Sequence, residues 1–156
     1  MLEVLCEAGL PNFSRPPSVS KETLGCVILA RKGRYRGVVE TAFEYSVLIS
    51  AELPPTGGVR PGRAWFTCNQ VTGCDPRLDA QLDQPIPRAC LVGLASVTVD
   101  GWVTETPGGY GHLNASERQF YTDRVISVDP PPPDSVEEHQ RIWTEIGGGE
   151  CPEYLW

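Results

Sequence analysis

No stretch of this sequence is a specific signature of catalysis or cofactor binding. It lacks a Gly-rich phosphate loop, a Gly-x-Ser-x-Gly elbow and a dinucleotide fingerprint. It also lacks the run of about 20 apolar residues needed to cross a bilayer, and residues 1–6 have neither the basic leader nor the apolar length of a signal peptide. We therefore expect no cofactor, no membrane span and a cytoplasmic location, or a periplasmic or secreted one if an export signal lies upstream.

An excess of basic residues is missing as well. Up to Val128 the chain has 13 acidic and 12 basic side chains (−1), and from Asp129 onward it has 7 acidic side chains against Arg141 (−6), which gives the net charge of −7. Proteins that bind phosphates usually show the opposite balance, because neutralising phosphate charge supplies much of their affinity. Nucleic acid is therefore a disfavoured partner, whereas the acidic C-terminal segment suits a basic surface of a protein partner.

The composition favours β-structure. A chain of 156 residues fits one domain, and 40% hydrophobic and 21% charged residues are typical of a globular protein. The 16 glycines and 15 prolines break helices and favour short strands joined by loops. We expect a soluble, acidic, mostly β domain.

The clearest strand signal is an alternation over residues 39–49. One parity holds Val39, Thr41, Phe43, Tyr45, Val47 and Ile49, and the other holds Glu40, Ala42, Glu44, Ser46 and Ser50. A period of two predicts a strand with one buried face. Further strands are predicted at residues 64–67, 90–105 and 119–128, with a helical turn around Leu78 and Leu82. Asp100-Gly101 is either a tight hairpin turn or a bulge within one long strand.

Three segments follow from these signals. Residues 1–23 are predicted to be an irregular arm, 24–128 a β-barrel domain, and 129–156 a Pro-rich spacer followed by an acidic helix and tail. The capping-box spacing that begins at Ser135 predicts a terminal helix to Ile146, with Val136, Gln140 and Trp143 on one face. Because isolated helices of about a dozen residues are marginal, we expect this helix to pack on the barrel rather than remain a loose arm that docks on a partner.

Two strand motifs and a loop resemble small bacterial OB-fold domains. The strands are residues 37–46 and the Val-x-Val-x-Gly stretch 97–101, continued by Trp102, and the loop is the Gly-His-Leu sequence at 111–113. The resemblance covers roughly residues 24–128. It implies a small five-stranded barrel, here with one short C-terminal helix, and says little about function.

The six cysteines are an even set, which suits disulfides in an oxidising compartment. Cys68 and Cys74 flank a turn-forming stretch and either close a local disulfide or contribute two ligands to a zinc site with His112. Their five-residue gap exceeds the usual spacing of paired zinc ligands, which disfavours the metal.

The remaining cysteines divide by context. Cys26 and Cys90 lie in apolar strand segments and are interpreted as buried, unreactive thiols that pack as small hydrophobes. Cys6 and Cys151 lie near the termini and are expected to react first.

The one basic cluster is residues 31–36. In a strand, Lys32, Arg34 and Arg36 share one face, and together with aromatic platforms at Tyr35, Trp65 and Trp102 they would suit single-stranded nucleic acid. The alternative is a solvated strand face with its aromatics buried in the core. The chain has no excess of basic residues, and this favours the alternative.

His112 lies in a Gly-rich loop, where it serves as a general base or ligand or simply fixes the loop through hydrogen bonds. The favoured function is a non-catalytic binding domain, with a protein as the partner. Its ligand-binding residues are predicted to be Glu44, Trp65, Trp102, Tyr110 and His112. The alternatives are an enzyme with a site around His112 and Glu44, and a single-stranded nucleic-acid-binding domain.

Overall fold

The computed structural model describes residues 3–6, 26–42, 45–68, 74–90, 92–105 and 107–150. Its strands and helices are, in chain order, β1 (Glu3–Cys6), β2 (Cys26–Ala42), β3 (Tyr45–Ser50), β4 (Gly62–Thr67), α1 (Pro76–Leu82), β5 (Gly93–Thr104), β6 (Gln119–Asp129) and α2 (Pro133–Glu145). A 3-10 turn, His112–Asn114, lies between β5 and β6.

Five of the strands close into a ring. β2 pairs antiparallel with β3 and β3 with β4, β4 pairs parallel with β6, and β6 pairs antiparallel with β5, which returns to β2. The predicted mostly β, five-stranded architecture is confirmed. β1 adds to the beginning of β2, so part of the segment predicted to be irregular is a strand. The two helices are not part of the ring. Along the chain, α1 lies between β4 and β5, and α2 follows β6.

The core fills the inside of the ring with aliphatic and aromatic side chains. Val39, Leu48 and Phe120 are completely buried. The ring of Phe120 lies edge-on to Tyr35, with centroids 5.2 Å apart, and stacks on Phe66 at 6.0 Å. Burying each of these side chains stabilises the fold by about 1.5–3 kcal/mol relative to leaving it in water.

The prediction that residues 39–49 form one strand with one buried face is wrong. β2 ends at Ala42, β3 begins at Tyr45, and these two residues pair with each other, so the chain reverses inside the predicted strand. Because of the reversal, odd-numbered residues such as Val39 face inward on β2 and even-numbered residues such as Leu48 face inward on β3. Val39 and Leu48 pair across the two strands, and both side chains lie in the core. The connection carries no Gly, Pro, Asn or Asp, so no turn signal interrupts the alternation.

Gly101 forms a bulge and not a hairpin turn. β5 runs continuously from Gly93 to Thr104, and its register against β6 shifts between Asp100 and Gly101. A Cβ at position 101 would collide with the carbonyl oxygen of Tyr121. Glycine is therefore required where the two backbones approach each other.

One of the alternatives for cysteine is confirmed and one expectation is corrected. Cys68 and Cys74 form a disulfide that joins the end of β4 to the beginning of α1, which is one of the two alternatives that the sequence leaves open, so these thiols are not zinc ligands. Cys90 is buried, as expected, but it is disulfide-bonded and not a free thiol. The side chains of Cys6, Cys26 and Cys151 lie outside the described part of the chain.

Helix α2 begins earlier than the capping-box pattern predicts. Its first residue is Pro133, its N-cap is Pro132, and no side chain caps it, so Ser135 is already inside the helix. Proline suits the first helical position because its fixed φ is helical and the missing N–H needs no partner there.

α2 packs on the barrel, as expected for so short a helix. The side chain of Val136 contacts a small apolar cluster made by Ile86, Ala89 and Leu94. The side-chain amide of Gln140 donates to the carbonyl oxygen of Pro87 at 2.7 Å. None of the helix's own residues is fully buried, so it lies on the surface of the barrel and not in the core.

Candidate ligand-binding cleft

The outer face of the ring beneath α2 carries two cross-strand rows of side chains. The register places Leu94, Glu40, Val47 and Trp65 in one row and Ser96, Val38, Ile49 and Arg63 in the next. Between this face and α2 lies a cleft of about 670 Å³. Its apolar lining includes Val38, Ile49 and Leu94 from the sheet and Ile142 from the helix.

Four polar side chains from four elements meet in this cleft. Glu40 Oε2 lies 3.0 Å from His139 Nε2 and 3.7 Å from Arg63 Nη2. Arg63 Nη2 also donates to the hydroxyl of Tyr45 at 3.4 Å, and that hydroxyl is within hydrogen-bonding reach of Glu40. We call Glu40, Tyr45, Arg63 and His139 the Glu40 cluster.

Tyr45 is held in its neutral form by these surroundings. Burial and the nearby charge of Glu40 raise the pKa of Tyr45 to about 12, against the opposing effect of the Arg63 guanidinium. Desolvation is the largest cause, because the phenolate loses more hydration than the phenol. At neutral pH Tyr45 therefore presents an O–H donor to the cleft.

Both ring nitrogens of His139 face acceptors. Nδ1 lies 2.8 Å from the carbonyl oxygen of Ser135, one turn earlier in α2, and Nε2 faces the carboxyl group of Glu40. A carbonyl oxygen only accepts, so Nδ1 must carry a proton. With Nδ1 engaged by the helix backbone, Nε2 is the ring nitrogen that contacts the carboxyl group of Glu40.

The Glu40–His139 contact fixes α2 over the sheet. The two side chains are only 14% and 17% exposed, so removing one partner would leave the other poorly solvated. The contact supplies a polar tether next to the apolar anchor at Val136. Chemically, the cluster offers one carboxyl group, one imidazole, one phenol and one guanidinium within a single concave site.

Two of the sequence-predicted site residues are used in loop packing. Tyr110 is buried, and burial raises its pKa, while a hydrogen bond with Thr104 acts in the opposite direction. Gly111 has a φ of 72° and lies against the Trp65 ring, which a Cβ would penetrate. Trp65 also meets Tyr45 edge-on at 6.4 Å, so this tryptophan connects the loop to the Glu40 cluster.

His112 is exposed at the beginning of the 3-10 turn, and the neighbouring Leu113 is 86% exposed. Glu44 lies outside the described residues. The enzyme site predicted around this pair therefore stays a prediction.

Trp102 lies on a different part of the outer face, with the basic cluster. The ammonium group of Lys32 is 4.7 Å from the centre of the Trp102 ring and 2.5 Å from a carboxylate oxygen of Asp123. Lys32, Arg34 and Arg36 are all exposed, as the strand parity predicts, whereas Tyr35 belongs to the core.

Asp100 neutralises much of this basic face. Its two carboxylate oxygens accept hydrogen bonds from Arg34 at 2.8 and 3.0 Å and from Arg124 at 2.9 Å. The hydrogen bonds from Arg34 and then Arg124 hold the pKa of Asp100 well below its ordinary value. The guanidinium groups are thus already engaged with a carboxylate.

Sequence reasoning missed the whole Glu40 cluster. Glu40 lies on the outer side of the ring, and α2 covers that side at this point. His139 is one of only two histidines and follows Ser135 by one helical turn, which is the one sequence signal that could have indicated it. Its partner is 99 positions away in sequence (139 − 40), so only the docking of α2 reveals the pair.

Within the described ranges, no group of three or more His, Cys, Asp or Glu side chains is arranged to hold a metal ion. No helix in the same ranges is long and apolar enough to cross a membrane. Comparison with protein-family models, with curated proteins and with solved structures finds no match in any of the three.

Proposed function

We propose that this protein is a non-catalytic binding domain whose ligand occupies the cleft between α2 and the outer face of the barrel. A volume of about 670 Å³ falls within the roughly 300–1,000 Å³ of typical ligand sites, which combine apolar walls with a few converging polar groups. Val38, Ile49 and Leu94 beside the Glu40 cluster are such a combination. That juxtaposition is the observation that carries the proposal.

The proposed ligand is a small molecule or a protruding segment of a protein partner. The cleft is concave and bordered by one helix, so it suits an inserted group better than a flat protein surface. The site therefore differs from the one that the sequence favours around His112. There, Tyr110 is buried and Trp65 is covered by Gly111, which leaves few side chains for a ligand.

We also propose kinship with OB-fold domains. The support is the closed order of five strands, β2-β3-β4-β6-β5, together with the resemblance of the strand motifs. An OB-like barrel gives a rigid support for a site at its surface. Since such barrels carry many unrelated functions, this kinship supports the scaffold and not the ligand.

We propose an oxidising compartment as the location. Cys68–Cys74 and the disulfide at Cys90 support it, because disulfides persist in secreted and periplasmic proteins and are rare in the cytosol. This proposal replaces the cytoplasmic expectation.

A second candidate function, an acid–base enzyme, rests on the Glu40–His139 contact of 3.0 Å. Carboxylate–imidazole pairs relay protons in many active sites. The candidate is tested with chromogenic ester, glycoside and phosphate substrates. Turnover that Glu40→Gln abolishes would favour the enzyme, and no turnover in the unaltered protein would favour the binding domain.

The binding proposal is tested with a matched pair of helix variants. Ile142 lines the cleft and is 41% exposed, whereas Ile146, four residues later, is 70% exposed and lies outside the cleft. A diverse small-molecule collection is screened for compounds that raise the melting temperature. We expect the hits to stabilise the unaltered protein and Ile146→Trp but not Ile142→Trp, in which the added indole fills the cleft. Hits that stabilise both variants equally, or a screen without hits, would contradict the proposal.

A further inference from the structure

One wall of the cleft carries two arginines. Arg60 and Arg63 both line it, three residues apart, in the connection to β4 and in β4 itself. Arg60 Nη1 donates to the carbonyl oxygen of Ala51 at 2.7 Å, which anchors one edge of that guanidinium. The side chain of Arg63 is 46% exposed, so it too can reach a bound ligand.

The charge of these arginines is only partly compensated. Arg63 faces Glu40, but Glu40 also faces His139 Nε2 at 3.0 Å. Glu138, on the helix side of the cleft, lies 3.8 Å from Arg141 of its own helix. Among the described residues, no carboxylate forms an ion pair with Arg60. Of the two arginines that line the cleft, Arg60 is therefore the one whose charge is left for an anionic ligand.

Part of the cleft lining is apolar, and some of these apolar side chains are exposed. Ile142 is 41% exposed and Val59 is 67% exposed, and both border the cleft. With Val38, Ile49 and Leu94 they form apolar surface next to the arginine wall. Large exposed aliphatic side chains around a concave site are typical of a surface that a ligand covers.

We propose that the cleft binds a carboxylate joined to an apolar body; this inference rests on the proposed binding function. Arg60 and Arg63 receive the carboxylate, and Val38, Ile49, Leu94 and Ile142 cover the apolar part. The same chemistry occurs in a free carboxylic acid and at the C-terminal residue of a peptide. Both sources present one negative charge next to an apolar group.

The geometry of guanidinium groups explains the preference. Arginine donates two parallel hydrogen bonds to a carboxylate, and these charge-assisted bonds are about twice as strong as neutral ones. An alcohol of the same length keeps the apolar contacts and loses the ionic ones, which predicts binding about tenfold weaker or more. An amine of the same length carries the same sign of charge as Arg60 and cannot pair with it.

The test is calorimetric titration of the whole chain with matched probes. Octanoate is compared with octan-1-ol and octylamine, and N-acetyl-leucyl-leucine with its C-terminal amide. Arg60→Gln removes the arginine that pairs with no carboxylate in the described part of the chain, and Arg88→Gln, an exposed arginine outside the cleft, is the control. Ile142→Trp shows whether a binding signal comes from the cleft.

We expect an acid to bind at least about tenfold more tightly than its neutral counterpart, and Arg60→Gln but not Arg88→Gln to remove that preference. Whichever acid binds, octanoate or the peptide, identifies the source. Equal binding of acid and neutral probe, lost in Ile142→Trp, would overturn the carboxylate inference and leave the cleft as a binding site. If no probe binds, or if Ile142→Trp leaves binding unchanged, the site itself is wrong.

Discussion

Glu40 is the residue through which four elements meet. Its carboxyl group lies on β2 and faces His139 of α2, Arg63 of β4 and Tyr45 of β3. Replacing it with glutamine leaves the Arg63 guanidinium and the His139 ring beside a neutral amide in a half-closed site. We therefore expect Glu40→Gln to lower the free energy of unfolding by about 1–2 kcal/mol, the usual cost of breaking charged hydrogen bonds. Urea denaturation at pH 7 measures this.

Glu138→Gln is the matched control for that variant. Glu138 is 63% exposed and its partner Arg141 lies 3.8 Å away, so its charge contributes little to stability. Equal, small effects of the two substitutions would show that the Glu40 cluster does not help to hold α2 in place.

Tyr45 makes the stability depend on pH in the alkaline range. Its pKa is about 12 in the folded protein and about 10 in an unfolded chain. The unfolded form therefore ionises first, so the contribution of the neutral phenol is complete below about pH 10 and is lost as the pH rises towards 12. We expect the free energy of unfolding of Tyr45→Phe to fall by about 1 kcal/mol less than that of the unaltered protein over this pH range. This value is discounted for the solvent exposure of Tyr45. Denaturation curves at pH 8, 10 and 11 measure the difference, and parallel losses in both proteins would contradict it.

At the scale of elements, α2 is attached through few contacts. Val136 packs on the barrel and Ile146 is 70% exposed, although both are aliphatic residues of the same helical segment. We expect Val136→Ala to lower the free energy of unfolding by about 1 kcal/mol and Ile146→Ala to have almost no effect. Deleting residues 130–156 should lower the melting temperature by several degrees or more. If that deletion leaves the melting temperature unchanged, α2 does not stabilise the barrel.

Element boundaries were predictable where a turn signal or a period marked them. β4 and β6 begin and end within two residues of the predicted segments, and α1 contains the expected turn around Leu78 and Leu82. The hairpin between β2 and β3 was not predictable, because polar and apolar residues keep alternating across it. Which parity faces the core is decided by where the chain reverses, and the sequence carries no mark of that point.

At the scale of the whole molecule, the charge distribution argues against nucleic acid. The net charge is −7, and the basic face around Arg34 is paired with Asp100 and Asp123. We expect no binding of a single-stranded oligonucleotide at physiological salt in a fluorescence-anisotropy titration. Micromolar affinity that falls steeply with salt would contradict this, because that slope reports released counterions.

The candidate site is a property of the assembled fold. Composition and period predict a mostly β chain, and the resemblance to OB-fold domains implies five strands. The cleft, however, exists only because α2 returns to the outer face of β2, β3 and β4. Glu40 and His139 have no spacing in sequence that relates them. The sequence predicts Trp65 and Tyr110 as ligand-binding residues, but in the structure both mainly pack the loop before β6.

The most direct test of the cleft as the ligand site is an amide chemical-shift map of the 15N-labelled protein with a bound ligand. Octanoate is the first probe, followed by any hit from the small-molecule screen. We predict that the largest shifts occur at Val38, Glu40, Ile49 and Ile142, on both sides of the cleft. Shifts concentrated at His112 and Leu113, or around Trp102, with an unchanged cleft would contradict the account.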